Sequence, residues 1–281
     1  MTKNNRQRRT AVCSWSLQPT DPHNLANAVQ HCSLSTIQLA LDPLITEQWS
    51  LDELKQALEE SHLTLCSGMI TTLGEDYSTL ESIKQTGGLR PDQHWEHNLN
   101  HARQAAPIAR ELGINLITLH AGFIPEHTTT EYTTMTDRIK AIADVFESEE
   151  ITLALETGQE RASDLLDMLE LPGMSTIGVN FDPANMILYN MGNPAQALEL
   201  LADRIVQVHM KDATPTQTPG TWGTEVPAGE GAVDWDHFFK TLNAFTKPID
   251  VVIEREAGAS RINDIIQAAK LASKYGYTHD G

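Results

Sequence analysis

The sequence predicts an α/β fold, a single closed (β/α)8 TIM barrel, on three observations. Eight short apolar, β-rich runs recur along the chain. Stretches with helical spacing lie between and after them, so that strand and helix alternate, which is the pattern of a parallel sheet. No GxGxxG or GxxxxGK(S/T) turn occurs, although a doubly wound open sheet, the competing architecture, would want one after an early strand.

The runs are AVCSWSL (11–17), TIQLAL (36–41), LTLCSGMI (63–70), NLITLHA (115–121), ITLALE (151–156), TIGVNFD (176–182), RIVQVHM (204–210) and IDVVIE (249–254). Most are nearly continuous in apolar residues, as strands buried on both faces are. The first helix is expected over Asp21 to His31, with Pro22 suited to its first turn. Ser50 can cap a helix carrying Leu51, Leu54 and Leu58. A long stretch from Asp92 to Leu112 stops at Gly113, and Pro107 inside it should kink or split it. Thr136 to Phe146, Arg161 to Leu169, Pro194 to Leu201, Trp235 to Phe245 and Ser260 to Tyr275 complete the set. Two Gly-bearing connections are long, Thr71 to Pro91 and Asp212 to Ala232. Both leave strand C-termini, the active-site face of a barrel, so both are lid candidates. With no linker in view, residues 11–281 read as one barrel domain and the polar, basic residues 1–10 as a frayed tail.

The charge balance removes whole classes of partner. The chain of 281 residues carries 20 basic and 38 acidic side chains, a net charge of −18. That argues against a polyphosphate, nucleic-acid or anionic membrane partner. The apolar fraction of 40% is enough for a folded core. Cys13, Cys32 and Cys66 are odd in number and widely spaced, which fits small core residues in a reduced, cytoplasmic setting. No run approaches signal-peptide or membrane-span length.

Four consecutive strands end in a polar group. Strand 5 ends at Glu156, strand 6 at Asp182, strand 7 at His209 (followed by Lys211 and Asp212) and strand 8 at Glu254. Three carboxylates brought together at a partly dry rim would repel one another. One divalent cation removes that difficulty, and the imidazole adds a neutral nitrogen. The set suits Mn2+, Mg2+, Co2+ or Zn2+. Four unrelated rim residues in salt bridges are the alternative.

At these residues the chain resembles the xylose-isomerase-like barrels, which include sugar and sugar-phosphate isomerases and epimerases. The matching motifs are LETG around Glu156, NFDPAN around Asp182, VHMKD around His209, PAGEGAVDW at 227–235 and IERE around Glu254. The resemblance implies that Glu156, Asp182, His209 and Glu254 bind one divalent metal, with Mn2+ favoured, and that Glu156 and Glu254 also move the proton. A metal chelating a ketone and its neighbouring hydroxyl acidifies the C–H between them. Two carboxylates on opposite sides of that carbon can then take and return a proton. The 3-epimerases of the family usually carry a His three residues after the metal Asp, touching substrate; Asn185 stands there and can hydrogen-bond a hydroxyl but cannot act as an imidazolium.

Further candidates surround this set. His120 ends strand 4 and is read as a substrate or supporting contact, against a rim His satisfied by backbone. Lys211 or Asp212 can orient His209, against a surface ion pair. Trp15 can wall the pocket, against simple barrel filling. Trp222 and Glu225 lie in the loop after strand 7 and can cover it. Glu75 and Tyr77 can do so from the loop after strand 3. Glu230, between two glycines, reads first as a loop-shaping residue, and Arg255 as half of a structural ion pair. His97 and His101 share a helix face, but no carboxylate is expected near them and their helix should lie outside the barrel.

The expected activity is a metal-dependent isomerase or epimerase of a keto sugar or related polyol, with a small-molecule partner and homo-oligomerisation left open. A lyase is the alternative, of the inosose- or dehydroshikimate-dehydratase kind or one eliminating a 3-keto-glycoside substituent. It shares the first proton abstraction. An apurinic endonuclease is disfavoured by the charge and by GMITT at 68–72, which supplies no His. Lys211 and Arg255 are thin support for a phosphate site, which favours an unphosphorylated sugar.

Overall fold

The computed structural model describes residues 8–278. Eight parallel strands close a barrel in the order β1-β10-β7-β6-β5-β4-β3-β2. They are β1 (Thr10–Cys13), β2 (Thr36–Ala40), β3 (Thr64–Met69), β4 (Leu116–Leu119), β5 (Thr152–Glu156), β6 (Gly178–Phe181), β7 (Ile205–Met210) and β10 (Asp250–Ile253). The remaining pair, β8 (Asp212–Thr214) and β9 (Thr224–Val226), forms an antiparallel hairpin within the long connection after β7. Nearly every strand residue is buried, which is why the runs carry almost no polar alternation.

The helices are α1 (Pro22–His31), α2 (Asp42–Ile45), α3 (Leu51–Glu60), α4 (Leu80–Thr86), α5 (Trp95–Glu111), α6 (Thr130–Glu147), α7 (Ala162–Leu169), α8 (Pro183–Leu188), α9 (Pro194–Leu200), α10 (Trp235–Asn243) and α11 (Arg261–Ser273). Local chemistry explains several boundaries. Asp21 caps α1 on the N–H of Asn24 ahead of Pro22, and Ser50 caps α3 on the N–H of Glu53. Gly113 takes a positive φ of 70° just after α5.

Three expectations change. Pro107 does not split α5, which runs on to Glu111. The ring removes one hydrogen bond in the penultimate turn, and burial of Ala102, Ala105, Ala106 and Ala109 against the core holds the helix together. The helix expected from Thr136 begins at Thr130, because Thr129 supplies the cap on the N–H of Tyr132. The chain also enters the barrel before residue 11. Thr10 opens β1, and Arg9 pairs with Asp250 at the foot of β10. Residues 1–7 of the expected tail, and 279–281 at the other end, lie outside the described residues.

The short helices α2, α4 and α8 fall in loops that the periodicity left blank. Pro at the second position of α2 and the first of α8, and the Thr79–Ser82 capping box of α4, were the available signals. No helix among the described residues is long and apolar enough to cross a membrane.

Candidate active site

The strand register brings the four strand-end groups together. Glu156 ends β5, Asp182 immediately follows β6, His209 lies one residue inside the end of β7, and Glu254 immediately follows β10. Each offers one ligand atom to a cluster in which all four atoms lie within 4.8 Å of one another. His209 Nδ1 stands 3.3 Å from Glu156 Oε1, 3.4 Å from Glu254 Oε2 and 3.9 Å from Asp182 Oδ2. The side chains of Glu156, Asp182 and His209 are fully buried, and that of Glu254 is 2% exposed.

Buried polar residues inside the barrel set these side chains. His209 Nε2 lies 2.7 Å from Gln38 Oε1, an oxygen that can only accept. Gln38 is itself fixed, because its amide N–H donates to the Thr118 hydroxyl at 2.8 Å. The Gln38 oxygen is nearer to Nε2 than the competing Asn180 amide nitrogen at 3.0 Å, so in a neutral imidazole the hydrogen is assigned to Nε2 and the Nδ1 lone pair faces the carboxylates. Asn180 Nδ2 donates to Glu156 Oε2 at 3.2 Å, while its oxygen accepts from Gln207 at 3.3 Å. The register shifts at Ile37/Gln38 and Val179/Asn180, with the extra residue on the partner strand (Cys66 in β3, Val206 in β7), so that Gln38 pairs with Ser67 and Asn180 with Gln207. Cys13 Sγ lies 3.7 Å from His209 Nε2. The three cysteines are free and buried, as expected.

The two glutamates have different company. Glu254 Oε1 accepts from the Trp15 indole at 2.8 Å, and its Oε2 from the Lys211 ammonium at 2.9 Å. Glu156 Oε1 accepts from Asn185 Nδ2 at 3.0 Å and lies 3.4 Å from His120 Nε2. Asn185 Oδ1 in turn accepts from Lys211 at 3.1 Å, so Asn185 bridges the two halves of the cluster. Its approach depends on Gly158 of the LETG motif: a Cβ there would lie 2.3 Å from the Cβ of Asn185.

Charge is poorly balanced in this dry space. Burial pushes the Asp182 carboxyl well up, and Lys211 works against it. Burial opposes ionisation of Glu254 too, but Lys211 and then His209 outweigh it and hold that carboxyl well below its ordinary value. At Glu156, burial is outweighed by His120 and His209, and the shift is downward. Burial disfavours the His209 imidazolium, but Glu156, Cys13 and Glu254 reverse the balance and lift it well above the ordinary value.

A divalent cation fits this set. Asp182 Oδ2 and His209 Nδ1 are buried without a hydrogen-bond partner, and both belong to the cluster. Three carboxylate oxygens and one imidazole nitrogen form a donor set that Mn2+, Mg2+, Co2+ and Zn2+ all accept.

A cavity of about 250 Å3 opens beside the cluster. Trp15, Met69, Ile70 and Tyr77 supply much of its apolar lining, and Asp42, Glu75, His120, Glu254 and Glu256 its ionisable groups. Trp15 and His120 thus stand where the sequence placed them, and Glu75 and Tyr77 reach the cavity from the loop after β3. Glu256 and Asp42 were missed. Glu256 was legible, since strand alternation puts it on the side of Glu254.

Two expected cover residues do other work. The Glu225 carboxylate accepts from the Arg255 guanidinium at 2.5 Å and from the N–H groups of Glu256 and Ala257. All three bonds go to Oε1, so Glu225 braces the chain after β10, and it is not among the cavity-lining residues. Trp222 packs edge-on against Tyr189 at 4.9 Å, in a small apolar cluster with Phe123 and Ile83, and is not among the cavity-lining residues.

The structure gives other motif residues structural roles. Asp212 accepts from the N–H groups of Ala213, Gly229, Gly231 and Val233 and from the Trp235 indole. A Cβ at Gly231 would lie 2.0 Å from that carboxylate, which explains the glycine in PAGEGAVDW. Glu230 stays exposed and accepts from Gln267. Arg255 makes the expected ion pairs, with Asp264 as well as Glu225. His97 and His101 stack at 5.9 Å. Contrary to expectation, a carboxylate is close, because Asp42 lies 3.0 Å from His101.

With this geometry in place, the family is clear. A model described as xylose isomerase-like TIM barrel matches residues 26–275. The chain belongs to that family. A solved xylose isomerase domain protein from Planctomyces limnophilus is similar at TM-score 0.82 and 26% identity, over 89% of this chain and 91% of that one. A 3-oxo-isoapionate decarboxylase of Pectobacterium atrosepticum is 26% identical over 120 residues, 41% of this chain and 43% of the relative. An Escherichia coli protein bearing the name L-ribulose-5-phosphate 3-epimerase is 37% identical over 93 residues, 32% of each chain. The chain thus matches less than half the length of these two curated relatives.

Proposed function

We propose that this protein is a divalent-cation-dependent isomerase or epimerase of a keto sugar or related polyol, with Glu156 and Glu254 as the acid/base pair. The carrying observation is the buried cluster of Glu156, Asp182, His209 and Glu254, whose ligand atoms lie within 4.8 Å of one another beside a cavity. These four residues would hold the cation, Mn2+ by preference. When bound, it supplies positive charge that stabilises the oxyanion of a deprotonated hydroxyketone.

The chain's own groups divide the remaining work. Glu156 Oε1 and Glu254 Oε2 flank His209 Nδ1 and can exchange a proton with a carbon held between them. Lys211 and Trp15 keep Glu254 ionised and aimed. Asn185 and Asn180 do the same for Glu156 through amide N–H groups. The net charge of −18 supports a small, non-nucleic-acid substrate and fits a cytoplasmic enzyme.

A lyase on the same site is the second reading, favoured by the similarity to a decarboxylase. Metal analysis and proton exchange in D2O, over a panel of ketoses and keto-glycosides, test the main reading. Glu156→Gln and Glu254→Gln should each lower bound metal and abolish deuterium incorporation. Unchanged metal content and exchange in both variants would overturn it. Loss of water, CO2 or an aglycone in the product spectrum would select the lyase.

A further inference from the structure

The cavity wall opposite the cation cluster indicates which substrates this site takes, an inference that rests on the function proposed above. In the closed barrel, β2 lies four strands from β6 in either direction, directly across the mouth from Asp182. Asp42 stands at that position, two residues past the end of β2, and lines the cavity. Its Oδ1 accepts from the Thr71 hydroxyl at 2.6 Å and lies 3.0 Å from His101 Nε2. Its Oδ2 is buried with no hydrogen-bond partner among the described residues. Beside it, Glu75 is held by the Thr72 and Tyr77 hydroxyls and the Gly88 N–H.

Asp42, Glu75, Glu254 and Glu256 all line this cavity, and no Arg or Lys among the described residues does. The neighbouring ammonium, Lys211, is taken up by Glu254, Glu256, Asp182 and Asn185. A carboxylate facing a small, partly dry cavity needs a donor. A sugar hydroxyl supplies one, as a charge-assisted hydrogen bond. A phosphate at neutral pH offers acceptors and like charge. A volume of about 250 Å3 lies just under the range of drug-sized pockets and suits a monosaccharide.

We propose that the site accepts an uncharged, hydroxyl-bearing substrate of monosaccharide size and rejects its phosphorylated counterpart, with Asp42 accepting a hydrogen bond from a hydroxyl remote from Glu156 and Glu254. Asp42 is then a positioning and specificity residue that takes no part in proton transfer.

Calorimetry of the Mn2+-loaded protein with ketohexoses, the matching hexitols and the 6-phosphates of both tests this, with deuterium exchange followed in parallel. The neutral ligand that binds best should bind at least a hundredfold tighter than its phosphate. Asp42→Asn should weaken it about tenfold and raise KM more than it lowers kcat, with metal content unchanged. Asp42→Asn combined with Glu75→Gln should narrow the gap between neutral and phosphorylated ligands, a change that a purely structural role does not produce. Equal or tighter binding of a phosphorylated ligand to the wild-type protein would overturn the proposal, and so would binding of no neutral ligand. Selective hexitol binding without deuterium exchange in any ketose would leave this inference standing and remove the isomerase reading.

Discussion

The rim half formed by β5, β6, β7 and β10 places its chemistry at strand ends, whereas the half formed by β1 to β4 builds its wall mostly from the segments that follow the strands. On the first side, Glu156, Asp182, His209 and Glu254 sit on or next to backbone locked into the barrel ladder. On the second, Trp15, Asp42, Glu75 and Tyr77 stand beyond the last strand residue: Tyr77 donates to Glu75, Thr71 and His101 of α5 hold Asp42, and Trp15 reaches across to Glu254. Rigid placement suits proton transfer, where a small misplacement is costly. Loop placement suits recognition, because a loop can change without disturbing the barrel.

The largest effect expected from breaking this division is on the rigid side. Glu156→Gln and Glu254→Gln each remove a carboxylate proposed both to bind the cation and to move the proton, so kcat should fall by roughly 10³-fold or more. Substitutions across the mouth, at Asp42 or Glu75, should act chiefly on KM. Steady-state kinetics on the substrate found by the exchange panel checks the contrast, and a kcat loss at Asp42 as large as at Glu156 would erase it.

How far each side could be read from the sequence follows the same division. A strand buried on both faces has no structural use for a terminal carboxylate, so Glu156, Asp182 and Glu254 stood out, and His209 with them. The strand–helix alternation made the barrel legible for a similar reason, since burial on both faces leaves a continuous apolar run. Gln38, Thr118, Asn180 and Gln207 did not stand out. Each is a lone polar residue inside an apolar run, and only barrel closure brings Gln38 to His209, 171 residues away. Asp42 and His101 were invisible as a pair for the same reason, being 59 residues apart and joined only when α5 packs beside β2's exit. Glu225 and Trp222 were placed in the right loop, but a long loop does not reveal which of its side chains turn inward.

Beyond the cluster, Glu160 offers a stability test on the rigid side. Burial raises its carboxyl to about 8 from an ordinary 4.5, with nearby Glu156 adding to the rise. A carboxyl whose folded value is raised favours the fold below its unfolded value, and that contribution is lost as pH rises through the folded one. The native protein should therefore lose stability between about pH 4.5 and 8 on account of this group. Glu160→Gln should remove the loss, gaining roughly 3–5 kcal/mol over wild type at pH 9 relative to pH 4, by the usual conversion of a pKa shift. Thermal melts across that range check it, and parallel curves for the two proteins would show that Glu160 is not held neutral.

The loop carrying PAGEGAVDW depends on one carboxylate in a comparable way. Asp212→Ala strips the partner from four backbone N–H groups and the Trp235 indole. Some of these donors recover water, so the expected loss is about 3 kcal/mol, read from the denaturant midpoint. A shift under about 0.5 kcal/mol would mean that the two glycines and Trp235 hold the loop unaided.

The smallest effect is also the sharpest test of why the rigid side works. Gln38 belongs to β2, on the recognition side, yet its side chain crosses the barrel interior to fix the tautomer of His209. Gln38→Leu keeps much of the volume and removes the acceptor, so the fold should survive while His209 loses its preference for hydrogen on Nε2. Cation affinity should then fall about 10–100-fold, as when other outer partners of metal-ligating imidazoles are removed. Calorimetric titration with Mn2+ reads this directly, without substrate. Thr118→Val, one bond further out, leaves the Gln38 oxygen in place and should cost much less. An unchanged Mn2+ affinity in Gln38→Leu would show that the carboxylates alone orient His209, and the two halves of the barrel would then be independent.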